Sequence, residues 1–269
     1  MSVVEKAIGL LNHFSTARPE IGLSEFCRLA RRDKATTYRH LTALEAVGLV
    51  EQNPTTRAYR IGPAALRLAE LREATVPRRD GVLQPLATLA DRTGESAHVS
   101  VLSGSSLHSL AVHESTRHST RVVIDVAILP LHATASGISA VAFGAPELRD
   151  AALANMNRFT DFTPTTPEAL DAAVAEARRT GISTSDSGFE AGVHGMAAPI
   201  YDQSGALAGA VAVASVATRM TAEQEFTNRT ALVEAARQIT RNWGGTVPAV
   251  VEAAWADTLT PMPREDAAR

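Results

Sequence analysis

Between residues 22 and 62 the spacing of apolar positions changes twice. Phe26, Leu29 and Ala30 recur at helical spacing behind Ser24, whose hydroxyl suits an N-cap, and they predict a first short helix. Asp33 takes the place of a second N-cap. After it Tyr38, Leu41 and Leu44 form an apolar stripe, while Ala35, Thr36, Arg39 and His40 fall mainly on other faces near the helix start. Gly48 offers a left-handed stop to this helix, and Leu49, Val50, Tyr59 and Ile61 alternate on either side of an Asn53-Pro54-Thr55-Thr56 turn. Two short helices, a tight turn and a hairpin make a winged helix-turn-helix. In that unit the second helix enters the major groove of DNA, its first-turn side chains reach base edges, and the hairpin is the wing, here with Arg57 near its tip.

Beyond the hairpin the pattern becomes longer and more varied. Residues 63–79 open with Pro63, are rich in helix formers and end near Pro77 with Arg78-Arg79, which predicts a linker helix. A helix over 83–92, strands over 96–102, 107–112 and 121–126, a loop over 129–137 and helices over 139–143 and 146–156 follow. Thr166-Pro167 places an N-cap before a proline at the first helical position and starts a helix to Thr180. Residues 196–201 and 206–216 flank Asp202-Gln203-Ser204-Gly205 as a hairpin, and Thr221 with Gln224 forms a capping box for a helix to Trp243. Strands joined by short turns favour an antiparallel sheet, so the expected class is α+β, with an α/β second domain. The expected boundaries are 1–62 for the winged helix-turn-helix, 63–79 for the linker helix, 80–245 for the second domain and 246–269 for a tail. That tail is expected to be partly disordered, with Val250, Val251 and Trp255 able to dock a short helix.

Charge adds direction to this reading. Residues 1–79 carry 13 Lys and Arg against 8 Asp and Glu, and residues 80–269 carry 13 against 21, so the basic end coincides with the helix-turn-helix. Arg39 is the expected base reader, with Ser24, Ala35, Thr36, Thr37, Tyr38 and His40 as further contacts; Lys34 and Arg57 suit phosphates or the minor groove. Only 4% of residues are aromatic, so Ala, Val and Leu must fill the core. One cysteine, Cys27, excludes an intrachain disulfide, and no apolar run resembles a membrane span or signal peptide, which makes a cytoplasmic address the expectation. His98, His108, His113, His118, His132 and His194 form no HxxxH pair, so no metal or cofactor is expected. Two rival classes are a metabolite-acting enzyme and a protein-interaction module. The first lacks a GxSxG, P-loop, GxGxxG or HExxH motif, and the second is disfavoured by the basic N-terminal surplus.

In RRDKATTYRHL and YRIG the N-terminal part resembles the winged helix-turn-helix of the IclR family of bacterial transcriptional regulators. TGESAHVSVL (93–102), LPLHATASG (129–137) and GFEAGVHGMAAPIYDQSG (188–205) resemble that family's effector-binding domain, in the same order along nearly the whole chain. Where the family usually continues Gly-Lys-Ala, this chain has Gly137-Ile138-Ser139. The resemblance implies a GAF/PAS-like effector domain with an antiparallel sheet, a homodimer or tetramer on an inverted repeat of double-stranded promoter DNA, and most often repression of a nearby catabolic operon. It also implies effector-binding positions at Leu129, Ala135, Ser136, Ser185, Gly195, Ala212 and Ala214, with backbone amides around Ala135, Ser136 and Gly137 for one anionic group. Alanines at 212 and 214, where hydroxyl-bearing family members are polar, point to a small organic acid or derivative with an apolar body, aromatic acids among the candidates.

Overall fold

A computed structural model of the chain describes residues 2–15, 18–75 and 77–260. It divides into two compact units, Met1–Pro77 and Arg78–Arg269.

The first unit opens with α1 (Val3–Ile8), which the apolar spacing did not announce; Ser2 and Glu5 close a capping box around its first turn. Helix α2 (Leu23–Ala30) starts from Gly22 rather than Ser24, which lies inside the first turn, exposed. The reason is tertiary: Ile21 and Tyr59 exchange two backbone hydrogen bonds of 2.9 Å, so the chain leaves the sheet and turns into the helix at once. Arg31, at φ +51°, ends α2. Helix α3 (Lys34–Ala46) is capped by Asp33, whose carboxylate accepts from the Thr36 amide at 2.8 Å, and Gly48 at φ +75° follows its end. The wing is β1 (Val50–Gln52) paired antiparallel with β2 (Tyr59–Ile61), and α4 (Pro63–Thr75) continues from it. Leu10, Ile21, Phe26, Leu41, Leu44, Val50 and Tyr59 make the core, with Phe26 edge-on to Phe14 and Tyr59.

The buried face of α3 differs from the expected stripe. Thr37, His40, Leu41 and Leu44 are buried and Tyr38 is 54% exposed, so the helix is rotated by one position from the apolar reading. Thr37 tolerates burial because its hydroxyl donates to the Asp33 carbonyl at 2.9 Å.

The second unit runs α5 (Asp80–Thr93), β3 (Ser96–Ser103), β4 (Ser106–His113), β5 (Ile128–Leu129), α6 (Ala135–Phe143), α7 (Glu147–Leu153), α8 (Pro167–Thr180), β6 (Ser183–Asp186), β7 (Val193–Tyr201), β8 (Leu207–Val216), α9 (Ala222–Asn242) and α10 (Ala249–Leu259). The sheet order is β5-β4-β3-β8-β7-β6, antiparallel throughout. Helices α5 and α9 pack on each other and on the sheet, while α6 packs on β6, β7, β8 and α8.

Four features differ from the expectations. Residues 121–126 form no strand; they run as an irregular segment, and only Ile128 and Leu129 pair, against β4. Strand β6, polar in sequence as Ser183-Thr184-Ser185-Asp186, carried no apolar signal but pairs with β7. Helix α6 begins at Ala135, four residues before the expected start, because the Thr134 hydroxyl accepts from the Gly137 amide at 3.0 Å. Thr221 does cap α9, but the Gln224 side chain reaches Thr93 O and Asn228 instead of closing the box.

In the tail, α10 is docked by Val251 and a fully buried Trp255, whereas Val250 is exposed. The Trp255 indole donates to Gly181 O at 2.7 Å, and Arg237, paired with Glu252, lies over its ring at 5.4 Å. The rest of the tail expectation, residues 261–269, lies outside the described residues. Trp255→Ala is expected to lower the unfolding free energy by about 3–5 kcal/mol in urea titrations, and Trp255→Phe by about 1–3 kcal/mol through loss of the indole bond and of packed ring volume. A change under about 0.5 kcal/mol for the alanine variant would mean that α10 is not part of the folded core.

Candidate functional site

Where the start of α6 meets the sheet, Ala135, Ala197, Ala210 and Ala212 form a cluster of their own. Gly137 lies so close to the preceding turn that a Cβ there would collide with Pro130 O and the Leu131 backbone. These residues bring the helix start down to the strands, and a cavity of about 90 Å³ opens beside it. Leu129, Ala135, Ser136, Ser185, Gly195, Ala212 and Ala214 all line it; Gly137 does not, being spent on the close approach. The wall is completed by groups that sequence reasoning did not place there: His98 from β3, Val122, Val123, Ile124 and Val126 from the irregular segment, and Thr134, Phe189 and Val193. Glu190 lines the cavity as well. Strand alternation signals His98, which pairs across β8 with Ala212 and therefore shares its face.

The polar groups of the wall are mostly committed. Ser185 donates to Ala133 O at 2.7 Å, Thr134 donates to Pro130 O at 2.9 Å, and beside them Ser183 donates to Ala135 O at 2.7 Å. Those hydroxyls satisfy backbone carbonyls rather than facing a ligand as donors. What remains is the start of α6: the amides of Ala135 and Ser136 have no hydrogen-bond partner among the described residues, and a helix N-terminus favours an anion. Beside it, His98 Nε2 lies 3.0 Å from Ser136 Oγ, while His98 Nδ1 is buried with no partner. Burial pushes the His98 imidazole down to about 4, so it is neutral at neutral pH. Among the described residues no Lys or Arg lines the cavity.

The segment over the cavity is fastened from outside. Ser96 Oγ donates to Val122 O at 2.6 Å, Arg219 donates to Thr120 O at 2.5 Å and to Glu95 at 3.0 Å, and Arg117 donates to Asp91 O. Glu95 is almost fully buried; burial holds its carboxyl above the usual range, with Arg219 opposing that shift.

On the first unit, the start of α3 exposes Lys34, Ala35, Tyr38 and Arg39, with Thr36 half-buried. Ser24 on α2 and Arg57 in the wing turn, at φ +60°, are also exposed. Thr37 is 0% and His40 4% exposed, so neither offers a side chain to DNA; both belong to the seat of the helix. Burial, then the charges of Arg32, Arg39 and Lys6, lower the pKa of His40.

Residues 79–241 match the family model described as bacterial transcriptional regulator IclR C-terminal, and residues 3–54 match the IclR helix-turn-helix domain. The chain belongs to the IclR family. A solved IclR transcriptional regulator from Silicibacter sp. TM1040 is 43% identical, with 93% of this chain and 99% of that one covered and a TM-score of 0.86. The HTH-type transcriptional regulator XynR of Escherichia coli K12 is 26% identical over 245 residues, 90% of this chain and 96% of its own length. An IclR homologue from Microbacterium hydrocarbonoxydans, solved in complex with 4-hydroxybenzoate, is 25% identical with a TM-score of 0.55 over 90% of this chain and 99% of that one. This IclR-family chain is therefore a DNA-binding transcriptional regulator with a small-molecule effector domain. Among the described residues no helix is long and apolar enough to cross a membrane, and no three metal-binding side chains cluster.

Because Arg219 serves both Glu95 and the segment over the cavity, Arg219→Ala is expected to cost about 2–3 kcal/mol in urea unfolding. Adding Glu95→Gln should recover part of that loss, since a neutral amide no longer needs the guanidinium. Strict additivity of the two substitutions would show that the pair is not coupled.

Proposed function

We propose that this regulator binds an inverted repeat in a promoter as a homodimer, itself able to pair into a tetramer, and represses a neighbouring catabolic operon under the control of a small organic acid, with an aromatic acid as the best candidate. The observation that carries the effector side is the cavity itself: free amides at the start of α6, apolar walls at Leu129, Ala212 and Ala214, and no hydroxyls at the last two positions. The complex of the Microbacterium homologue with 4-hydroxybenzoate supports the ligand class. At about 90 Å³ the cavity is smaller than the roughly 150 Å³ that holds benzene in an engineered cavity, so an aromatic body requires the 121–127 segment to move outward.

Self-association is supported by apolar surface left exposed on the first unit among the described residues. Helix α1 buries none of its residues and exposes Val3, Val4 and Ile8, and α4 exposes Leu66, Leu68 and Leu71. On the DNA side Arg39 is the base reader, Lys34 and Arg57 hold phosphates or the minor groove, and Ser24, Ala35, Thr36 and Tyr38 complete the face.

An enzymatic reading has one specific attraction, the His98–Ser136 pair, which has the spacing of a base and a nucleophile. Two facts weigh against it. No third group orients His98, whose Nδ1 is unpartnered, and an imidazole at about 4 is a poor base for serine. The pair serves binding rather than catalysis.

Arg39→Ala is expected to abolish specific retardation of the upstream promoter fragment in mobility shifts, since each arginine–guanine contact contributes about 1–3 kcal/mol and a dimer loses two. Unchanged affinity at matched salt would remove Arg39 from base reading. In calorimetry, 4-hydroxybenzoate and benzoate should bind more tightly than glyoxylate, and Ala212→Ser or Ala214→Ser should shift preference toward the smaller, more polar acid. Tight binding of glyoxylate with no uptake of the aromatic acids would overturn this view of the cavity. A bound effector changes DNA affinity only by preferring one conformational state, so the same acid must also shift the mobility-shift midpoint.

A further inference from the structure

We propose that His98 is a positioning and specificity-determining residue of the effector cavity, acting through the Ser136 hydroxyl to select a carboxylate and to take up a proton as that carboxylate binds. This rests on the reading that an organic acid occupies the cavity.

Three observations meet at one point. The start of α6 offers the unpartnered amides of Ala135 and Ser136; Ser136 Oγ, on the same turn, touches His98 Nε2 at 3.0 Å; and the imidazole, 8% exposed, forms part of the cavity wall with Nδ1 unpartnered. A carboxylate on those amides makes the Ser136 hydroxyl a donor toward it. The serine oxygen must then accept, and among the described residues the group placed to donate is His98 Nε2–H. A carboxylate thus fixes the direction of both hydrogen bonds, while a ligand donor in the same place would face the donor amides of Ala135 and Ser136. Selection for an acceptor follows without any Lys or Arg in the wall.

Proton uptake follows from the same chain. The empty site keeps the imidazole neutral through burial alone, with no charged side chain acting on it. The elements around it supply little that titrates: Val112 faces it across β4, Ala212 across β8, Ser136 from α6, and Val122, Val123, Ile124 and Val126 from the irregular segment. Glu190 is the other titratable group of the wall, and it is exposed. A ligand carboxylate one hydroxyl away favours the imidazolium, so the bound state holds the proton more tightly than the empty one. Binding is then tightest at low pH and weakens as the pH rises through the bound-state value.

The test is calorimetry of the full chain with 4-hydroxybenzoate at pH 5.5, 6.5 and 7.5, in two buffers of different ionisation heat. Wild type should bind about threefold or more tightly at pH 5.5 than at 7.5, with net proton uptake. His98→Gln keeps an amide donor near the Nε2 position but cannot titrate. It should match wild type within about twofold at pH 7.5 while losing both the pH dependence and the uptake. His98→Phe, which loses the donor, should bind about tenfold more weakly at every pH. Ser136→Ala should weaken binding and reduce the uptake. Retention of the pH dependence in His98→Gln, its disappearance in Glu190→Gln, or its absence from wild type would overturn the proposal while leaving the acid-binding reading intact. Failure of wild type to bind any carboxylic acid would overturn both.

Discussion

The approach of the α6 N-terminus to the sheet sets most of what the second unit can do. It depends on residue size at a few positions: Gly137 against the Pro130–Leu131 backbone, and Ala135 on Ala197, Ala210 and Ala212. A larger residue at any of them would lift the helix by a fraction of its side-chain length, and close packing transmits such a change rather than absorbing it. Because the helix sits low, its first amides lie beside a cavity instead of in solvent, and its first hydroxyl reaches a histidine on β3. A chain with 4% aromatic residues is suited to this geometry, since Ala and Val let backbone elements come close without large side chains to bury.

The polar atoms near this junction fall into two groups with different uses. Ser183, Ser185 and Thr134 spend their hydroxyl protons on the carbonyls of Ala135, Ala133 and Pro130, which adds hydrogen bonds to the turn that leads into α6. His98 and Ser136 spend theirs on each other, and the two adjacent amides on nothing among the described residues. The structure-keeping and ligand-ready groups are thus separated by a single turn. Three serines lining or adjoining one cavity thus differ in what their hydroxyls hold: Ser183 and Ser185 bind backbone carbonyls, and Ser136 meets His98.

How much of this was legible in the sequence depended on whether the signal was local. Asp33, Thr166-Pro167 and Thr221 announce helix starts through bonds within three residues, and each start stands where the cap places it. Ser24 has the same chemistry but loses to a long-range pairing of Ile21 with Tyr59, which no local pattern encodes. Residues 121–126 read as a strand because Val122, Val123, Ile124 and Val126 are β-branched, yet their apolar side chains line a cavity rather than one face of a sheet. Strand β6 was illegible for the opposite reason: its serines and threonine satisfy the chain around α6 instead of filling a core. Seven of the effector positions implied by family resemblance meet around the cavity, whereas His98 required knowledge of the β3–β8 register. On α3 the apolar count favoured Tyr38, but the buried face is set by Leu41 and Leu44 together with Thr37 and His40, polar residues whose burial composition cannot predict.

Compliance in the cavity is unevenly distributed, and that decides which wall yields to a ligand. Moving β8 or α6 would disturb Ile138, Val211 and Val213 in the main core, where each displaced large side chain costs about 1.5–3 kcal/mol. The 114–127 segment is held differently, by Ser96 on Val122 O, Arg219 on Thr120 O and the Ser109 amide on Ala127 O, with an exposed Arg121–Glu114 pair inside the segment itself. Each of those bonds contributes about 1 kcal/mol net, and the exposed ion pair less. A ligand larger than about 90 Å³ therefore finds its room by displacing the segment, not the sheet. Its binding energy is then reduced by two or three hydrogen bonds rather than by a core rearrangement. The fastenings that set this cost, Arg219 and Arg117, also hold Glu95 and the last turn of α5 through Asp91 O, so occupancy of the cavity and the environment of α5 are linked through the same few side chains.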